Sequence, residues 1–415
     1  MRIGFYLDYA NMKAGGIFTY SVGLLKELLK SDEIENVVLF FQTEQKEKLS
    51  EFINHKKVLP VEVNRNKPSF KYLSIISFFL YNSVFVYKTY LDKYFPKAEF
   101  PNTVRKIATW LNPLKKIIEK QNIEVLHVPF KISPIYEIDK PVFVTLHDVQ
   151  ELHFPEFFTS QQRLDRALAY KIAIDQSDHI VVSFNHVKKD LIKYFNTDNE
   201  KVSVCRLPLK QSWFANENIT SFNELKNKYQ LKENFLLYPA ATWQHKNHIK
   251  LLEAVKILAD KNIDFQLICT GNKTEHYTYL ENFIIENNLE NIVKFLGIVS
   301  EEDLIGLYSS TKLCVIPTLY EAGSGPLFEA MRYNAPVICS NVTSLPETIM
   351  NNDFIFDPFD HEDIANKILL GLTDENYRET NLKNSESRME YFKSLDTIKD
   401  FTEAYDVAIK KFHKK

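Results

Sequence analysis

Only four cysteines occur in 415 residues, and Cys205, Cys269, Cys314 and Cys339 stand far apart with no CxxC pair. Each lies in or beside an apolar run, the usual setting of a small buried thiol. Neither a zinc site nor a disulfide framework is expected. Net charge is also nearly missing: 51 Lys and Arg against 54 Asp and Glu leave −3, which gives no global electrostatic basis for binding nucleic acid. The opening MRIGFYLDYA enters a strand-like run directly, unlike a signal peptide, so a reducing cytoplasm is the expected compartment. Heptads, low-complexity tracts and short tandem repeats are absent. So are the dinucleotide fingerprint GxGxxG and a DxD motif that would hold Mg²⁺ or Mn²⁺.

No apolar run is long enough to cross a bilayer, which takes about 20 residues. The nearest is SFKYLSIISFFLYNSVFVYKTYLDKYF, residues 69 to 95, interrupted by Asn82. Three readings stand open for it: a core helix, an aromatic-rich element at a membrane interface, or a wall of an acceptor site. Lys71, Lys88, Lys93 and the tyrosines suit the interface.

What is present is globular in composition, 45% hydrophobic and 25% charged, and too long for one core. Short apolar runs alternate with helical patterns. Strands are expected in RIGFYL, VVLFF, EVLHV, PVFVTL, HIVVS and VSVCR, then in FLLYP, FQLICT, VKFLG, LCVIP, PVICS and FIF. Fully apolar strands alternating with helices predict parallel sheets covered on both faces. The pattern relaxes between Arg206 and Asn234, where the domain linker is placed. Ser385 to Lys415 reads as helical and charged, with Phe392, Ile398, Phe401, Tyr405 and Ile409 at helical spacings.

Open parallel sheets bind ligands beyond the carboxyl ends of their strands, and the polar signals fall there. Gly15 and Gly16 follow the first strand and open a helix; they serve either a tight turn or an anion. His147-Asp148 follows PVFVTL. His147 suits a sugar hydroxyl, a phosphate or a proton shuttle, or else a structural bond to backbone, and Asp148 suits fixing the loop. After FLLYP, Lys246 and Asn247 stand at a helix entrance, with Asn247 as N-cap. A lysine there faces the positive end of the dipole, which a phosphate between them would explain; a solvated lysine is the plain alternative. Gly271 reads as a turn glycine. After LCVIPTLY, the stretch EAGSGPLFEAM places Glu321 in a loop and Glu329 in the first turn of a helix begun by Pro326. Gly323, Ser324 and Gly325 admit a ligand close to the backbone, and the N–H groups from Leu327 onward suit phosphate oxygens. Two acceptor-only side chains suit hydroxyl-rich rings flanking a diphosphate. Dipole placement alone would account for Glu329 but not for Glu321.

This arrangement resembles the family-4 retaining glycosyltransferases. Glu321 and Glu329 match their E-x7-E motif, continued by EAMRYNAPVICSNVTSLPE and accompanied in order by Gly15-Gly16, TLHD, VVSFNHVKKDL and HKN, over residues 15 to about 347. The resemblance implies an α/β GT-B fold: two Rossmann-like domains with parallel sheets facing across a cleft. Residues 1–210 would bind acceptor, 211–390 would bind the nucleotide sugar, and a helix over 391–415 would pack back on the first domain. It further implies Glu329 on the ribose, Glu321 on the donor sugar, Lys246 on the diphosphate and His147 by the reacting sugar. Asn247, Gly323, Ser324, Gly325 and Leu327 would complete the donor site, with Gly15, Gly16 and Asp148 toward the acceptor and Gly16 also toward the donor phosphates. Two departures stand out: Ala322-Gly323-Ser324-Gly325-Pro326 replaces the family's Gly-Phe-Gly-Leu-Pro, and no Arg precedes Lys246, where His245 is the nearest candidate.

The implied activity is transfer of a hexose from a GDP- or UDP-linked donor to a glycan or lipid-linked acceptor with retention of configuration, with no metal or other cofactor. Bacterial surface-polysaccharide or lipopolysaccharide synthesis is the expected setting, in the cytoplasm and at the inner face of its membrane, with peripheral contact through residues 69–95. The rivals are a GT-B epimerase or phosphorylase, or a non-catalytic GT-B partner subunit.

Overall fold

The computed structural model describes residues 1–7, 15–94, 102–130, 135–206 and 219–414. The chain divides into two compact units: Met1–Val149 with Phe158–Pro208 and Asp396–Lys415, and Gln150–Phe157 with Leu209–Leu395.

The first unit holds a parallel sheet of β1 (Arg2–Tyr6), β2 (Asn36–Phe41), β3 (Val58–Glu62), β4 (Val125–Val128), β5 (Val142–Thr145), β6 (His179–Val182) and β7 (Val202–Val204). Its order is β3-β2-β1-β4-β5-β6-β7. The second unit holds β8 (Phe235–Pro239), β9 (Gln266–Thr270), β10 (Val293–Gly297), β11 (Leu313–Ile316), β12 (Val337–Ser340) and β13 (Ile355–Phe356), in the order β10-β9-β8-β11-β12-β13. Every recorded pairing is parallel, so both sheets are doubly wound, with chain direction reversing at β1/β4 and at β8/β11. Each residue of β4, β5, β6, β9, β11 and β12 is buried, as strands covered by helices on both faces require.

All twelve expected strands form. β3, which was not expected, carries Pro60 at its centre. A proline cannot donate to a ladder, and β3 lies at the edge, where that loss is tolerated. The expected linker is partly helix: Phe222–Tyr229 is opened by a capping box between Ser221 and Glu224 and packs on the helix Glu301–Ser310. There Gly306 leaves no room for a side chain, since a Cβ would lie 2.4 Å from Thr220 O.

The charged C-terminal stretch is two helices. Glu375–Ser394 belongs to the second unit, where Phe392 meets Phe328 edge-on at 4.9 Å. Thr397–His413 belongs to the first and lies on β4, β5 and β6. His127, fully buried, hydrogen-bonds Tyr405 Oη at 2.7 Å and Thr145 Oγ1 at 2.8 Å, which fixes the terminal helix to the sheet. Relative to the expected divisions, the terminal helix starts at Thr397, and Gln150–Phe157 goes with the second unit.

Candidate functional site

The loops leaving β8 and β11 diverge because the chain winds outward from that pair in opposite directions, and such a switch point leaves a crevice. Lys246 arrives on the β8 loop, in a single 3₁₀ turn Gln244–Lys246, and Glu321 on the β11 loop. Lys246 Nζ lies 2.5 Å from Glu321 Oε1, with side chains 17% and 10% exposed. The residues expected to hold the diphosphate and the donor sugar therefore hold each other across the switch point.

Four neighbours fix this pair. The fully buried Tyr238 donates its hydroxyl to Lys246 O at 2.7 Å; burial, then the charge of Glu321, holds that phenol protonated, far above its ordinary pKa. Thr318 Oγ1 donates to His245 O at 3.0 Å, and Leu319 N to the same oxygen at 2.8 Å. Thr343 Oγ1 accepts from Glu321 N at 3.0 Å, and Thr343 has φ of 53°, a conformation that a β-branched residue adopts at a cost of order 1–3 kcal/mol. Asn247 departs from expectation. It sits in left-handed backbone at φ 59° and its side chain caps no helix; Nδ2 instead donates to Pro317 O at 2.9 Å and Pro358 O at 2.8 Å. Buried among carbonyls, it ties the loops after β8, β11 and β13. Next to it His248 is buried and neutral, its pKa lowered to about 3 by burial and then by the Lys246 charge.

The helix after Glu321 runs Gly325–Arg332, so Glu329 lies in its second turn and the dipole placement expected of it does not apply. Tyr308, fully buried, donates to Glu329 Oε2 at 3.0 Å, and burial first, then the Glu329 charge, raises the pKa of its phenol far above normal. Ser324 is the N-cap: its buried Oγ accepts from Leu327 N at 3.4 Å, the same N–H that the sequence offers to a ligand, and the Leu327 side chain is in the core. Gly325 N engages no hydrogen-bond partner among the described residues. A Cβ on Gly325 would come 4.0 Å from Glu329 Oε1, so this glycine opens space beside the carboxylate instead of serving an unusual φ. Gly323 lies in the same half-buried loop. Gly271, by contrast, has φ 114° and a Cβ there would lie 2.7 Å from Ala240 C, at the root of the Lys246 loop.

In the first unit, Gly15 and Gly16 start the helix Gly15–Lys30, and the loop before them lies outside the described residues. His147 Nε2 bonds Pro129 O at 2.9 Å, and Tyr20 meets the ring edge-on at 4.6 Å. A carbonyl only accepts, so Nε2 carries a proton in this contact. Asp148 fixes its loop: Oδ1 lies 3.4 Å from Arg166 Nη1, and Tyr170 donates to Asp148 O at 2.8 Å. The residues that sequence reasoning passed over are Tyr308 and Thr343, which hold the two acids, and Tyr238. The four cysteines are buried and unpaired, and among the described residues no group of His, Cys, Asp and Glu is gathered to hold a metal.

The chain is similar over most of its length to known glycosyltransferases. A model described as Glycosyltransferase Family 4 matches residues 14–207, and one described as Glycosyl transferases group 1 matches residues 221–388. O-antigen chain mannosyltransferase B of Escherichia coli is 28% identical over 237 residues, 57% of this chain and 62% of the relative. O-antigen chain mannosyltransferase RfbU of Salmonella typhimurium is 28% identical over 219 residues, 53% and 57%. The match thus spans less than two thirds of each relative's length. The crystal structure of a glycosyltransferase from Rickettsia africae has the same fold, with a TM-score of 0.66 at 19% identity, covering 99% of this chain and 98% of that one.

Proposed function

The chain belongs to the family-4 glycosyltransferases of GT-B architecture, and from that membership we propose that it moves a hexose from a nucleotide-diphosphate sugar to a hydroxyl of a glycan or lipid-linked acceptor, with retention. The reading is carried by the Lys246–Glu321 contact at the switch point of the second sheet. An incoming diphosphate brings more negative charge than one carboxylate, so it draws Lys246 from Glu321. The freed carboxylate then accepts from donor-sugar hydroxyls, while Glu329, held by Tyr308, accepts from the ribose. The Gly325 N–H stands beside it for a phosphate oxygen.

Leaving-group departure is the costly step, because charge builds on the diphosphate as the sugar gains oxocarbenium character. Lys246 meets that charge in place, which lowers the barrier. On this reading a cation of the chain does the work that a metal does in other transferases. The relatives named mannosyltransferases make mannose on GDP the first donor to try, and surface polysaccharide the acceptor class.

The test is turnover of GDP- and UDP-hexoses with a lipid-linked saccharide, in chelator, with the anomeric configuration of the product read by NMR. Expected are a retained product and a fall of about 10²–10³ in kcat for Lys246→Ala with the melting profile still cooperative. Near-normal turnover by that variant removes the phosphate role, inversion removes the retaining mechanism, and loss of activity in chelator removes metal independence.

A further inference from the structure

The helix Pro68–Tyr94 turns apolar side chains toward water. On its inner side Ser77 Oγ donates to Ala108 O at 2.7 Å, and the Tyr81 and Tyr136 rings stack at 4.1 Å. Opposite, Tyr72, Ile76 and Phe79 follow at i, i+4 and i+7 and are 65%, 48% and 72% exposed, with Ile75 and Phe78 beside them. A water-facing stripe ordinarily carries charge at these positions. On the adjoining helix Asn102–Leu111, Trp110 is 66% exposed. The five side chains on the long helix present on the order of 600 Å² of mostly apolar surface, at the top of the ~300–600 Å² range of the largest patch on a typical monomer.

The exposed charge beside this face is mostly cationic. Residues 64 to 116 contain ten Lys and Arg against Asp92 and Glu99 in a chain whose total is −3, although Arg105 pairs with Glu137 and Lys115 with Glu119. Lys67, Lys71, Lys106 and Lys116 are exposed, and Lys116 Nζ lies 4.9 Å from the Trp110 ring. A cavity of about 440 Å³ indents the same helix, walled by Phe70, Ile75 and Phe78, with Arg65 and Lys71 in its lining. Among the described residues no helix is long and apolar enough to cross a membrane.

We propose that this face of the first unit docks on an anionic lipid bilayer. The aromatic and aliphatic side chains enter the boundary between headgroups and acyl chains, and the surrounding lysines sit among lipid phosphates. A second copy is the poorer occupant, because a two-fold contact sets one cationic face against another.

The test is sedimentation of the full chain with vesicles of phosphatidylcholine alone and mixed with phosphatidylglycerol. Binding is expected on the mixed vesicles and to fall about tenfold in high salt or in Lys67→Glu/Lys71→Glu. Tyr72→Ser/Ile76→Ser/Phe79→Ser is expected to stay in solution, with its melting temperature unchanged because those side chains already face water. The proposal is overturned by binding to neither vesicle, by triple-variant binding equal to the parent, or by light scattering that shows a dimer which the triple variant splits.

Discussion

If Lys246 is held in reserve by Glu321, removing the Glu321 charge should improve one step and impair another. In Glu321→Gln the amide keeps the shape of the side chain but no longer holds the ammonium, and no longer repels a diphosphate. At an effective dielectric near 20, a unit charge about 7 Å away is worth roughly 2 kcal/mol. Solvent entering with the ligand reduces this to about 1.4 kcal/mol, or tenfold in affinity. GDP or UDP, which carry no sugar for Glu321 to hold, should therefore bind Glu321→Gln about tenfold more tightly than the parent chain. Hexose transfer by the same variant should fall by about 10² or more. Titration calorimetry gives the first number and product formation the second. Lys246→Met supplies the opposite sign: it removes the cation at 2.5 Å from Glu321 and leaves that buried carboxylate with no ion-pair partner among the described residues. Stability should then drop by about 2–4 kcal/mol, and Lys246→Met/Glu321→Gln should recover most of it. Nucleoside diphosphate affinity equal to or weaker than the parent's in Glu321→Gln would sink the exchange, whatever happens to turnover.

Two further outcomes follow from buried groups. His127 in the first unit and His248 in the second have folded pKa values lowered to about 3, chiefly by burial, against about 6.5 in the unfolded chain. Below pH 6.5 the unfolded state binds protons that the folded state refuses, so stability declines as pH falls from 6.5 toward 3, at up to about 1.4 kcal/mol per pH unit for each histidine. Urea midpoints of each unit should drop clearly between pH 7 and 5, and flat midpoints would show that the imidazoles are not excluded from water. Gly271→Ala meets both strain at φ 114° and backbone at 2.7 Å, whereas Gly297→Ala meets strain at φ 72° with nothing within 4 Å. The first should cost about 2–4 kcal/mol and weaken donor binding through the Ala240–Ala241 root of the Lys246 loop, the second about 1 kcal/mol. Equal urea midpoints would remove the close-approach argument.

The strands were legible because covered parallel strands read as short, largely apolar runs, most clearly in β4, β5, β6, β9, β11 and β12, where each residue is buried. β3 escaped because an edge strand needs neither continuous burial nor a donor at every position, and VLPVE shows both exemptions. The helix Phe222–Tyr229 escaped although Ser221 and Glu224 announce it, since polarity around them reads as linker. The terminal break escaped for a different reason: Asp396 caps a new helix after only Leu395, and periodicity runs smoothly through both.

Of the candidate site, the sequence named the lysine and the acid that the structure brings together, Lys246 and Glu321, but not what holds them. Glu321 and Glu329 are named by spacing, but eight positions say nothing of the partners that each finds. Tyr308 comes from a helix before β11 and Thr343 from the loop after β12; only the sheet order puts them beside the two carboxylates. Asn247 shows the converse. Its type and place at a helix entrance predict a cap, yet left-handed backbone swings the amide toward two proline carbonyls instead. Asparagine tolerates that backbone better than other side-chain-bearing residues, and a buried carbonyl without a donor is costly. The three loops around the switch point thus need a donor there more than the helix needs a cap. Lys246, one residue earlier, is positioned by that choice, so its aim depends on carbonyls that the fold brings to its neighbour from the loops after β11 and β13.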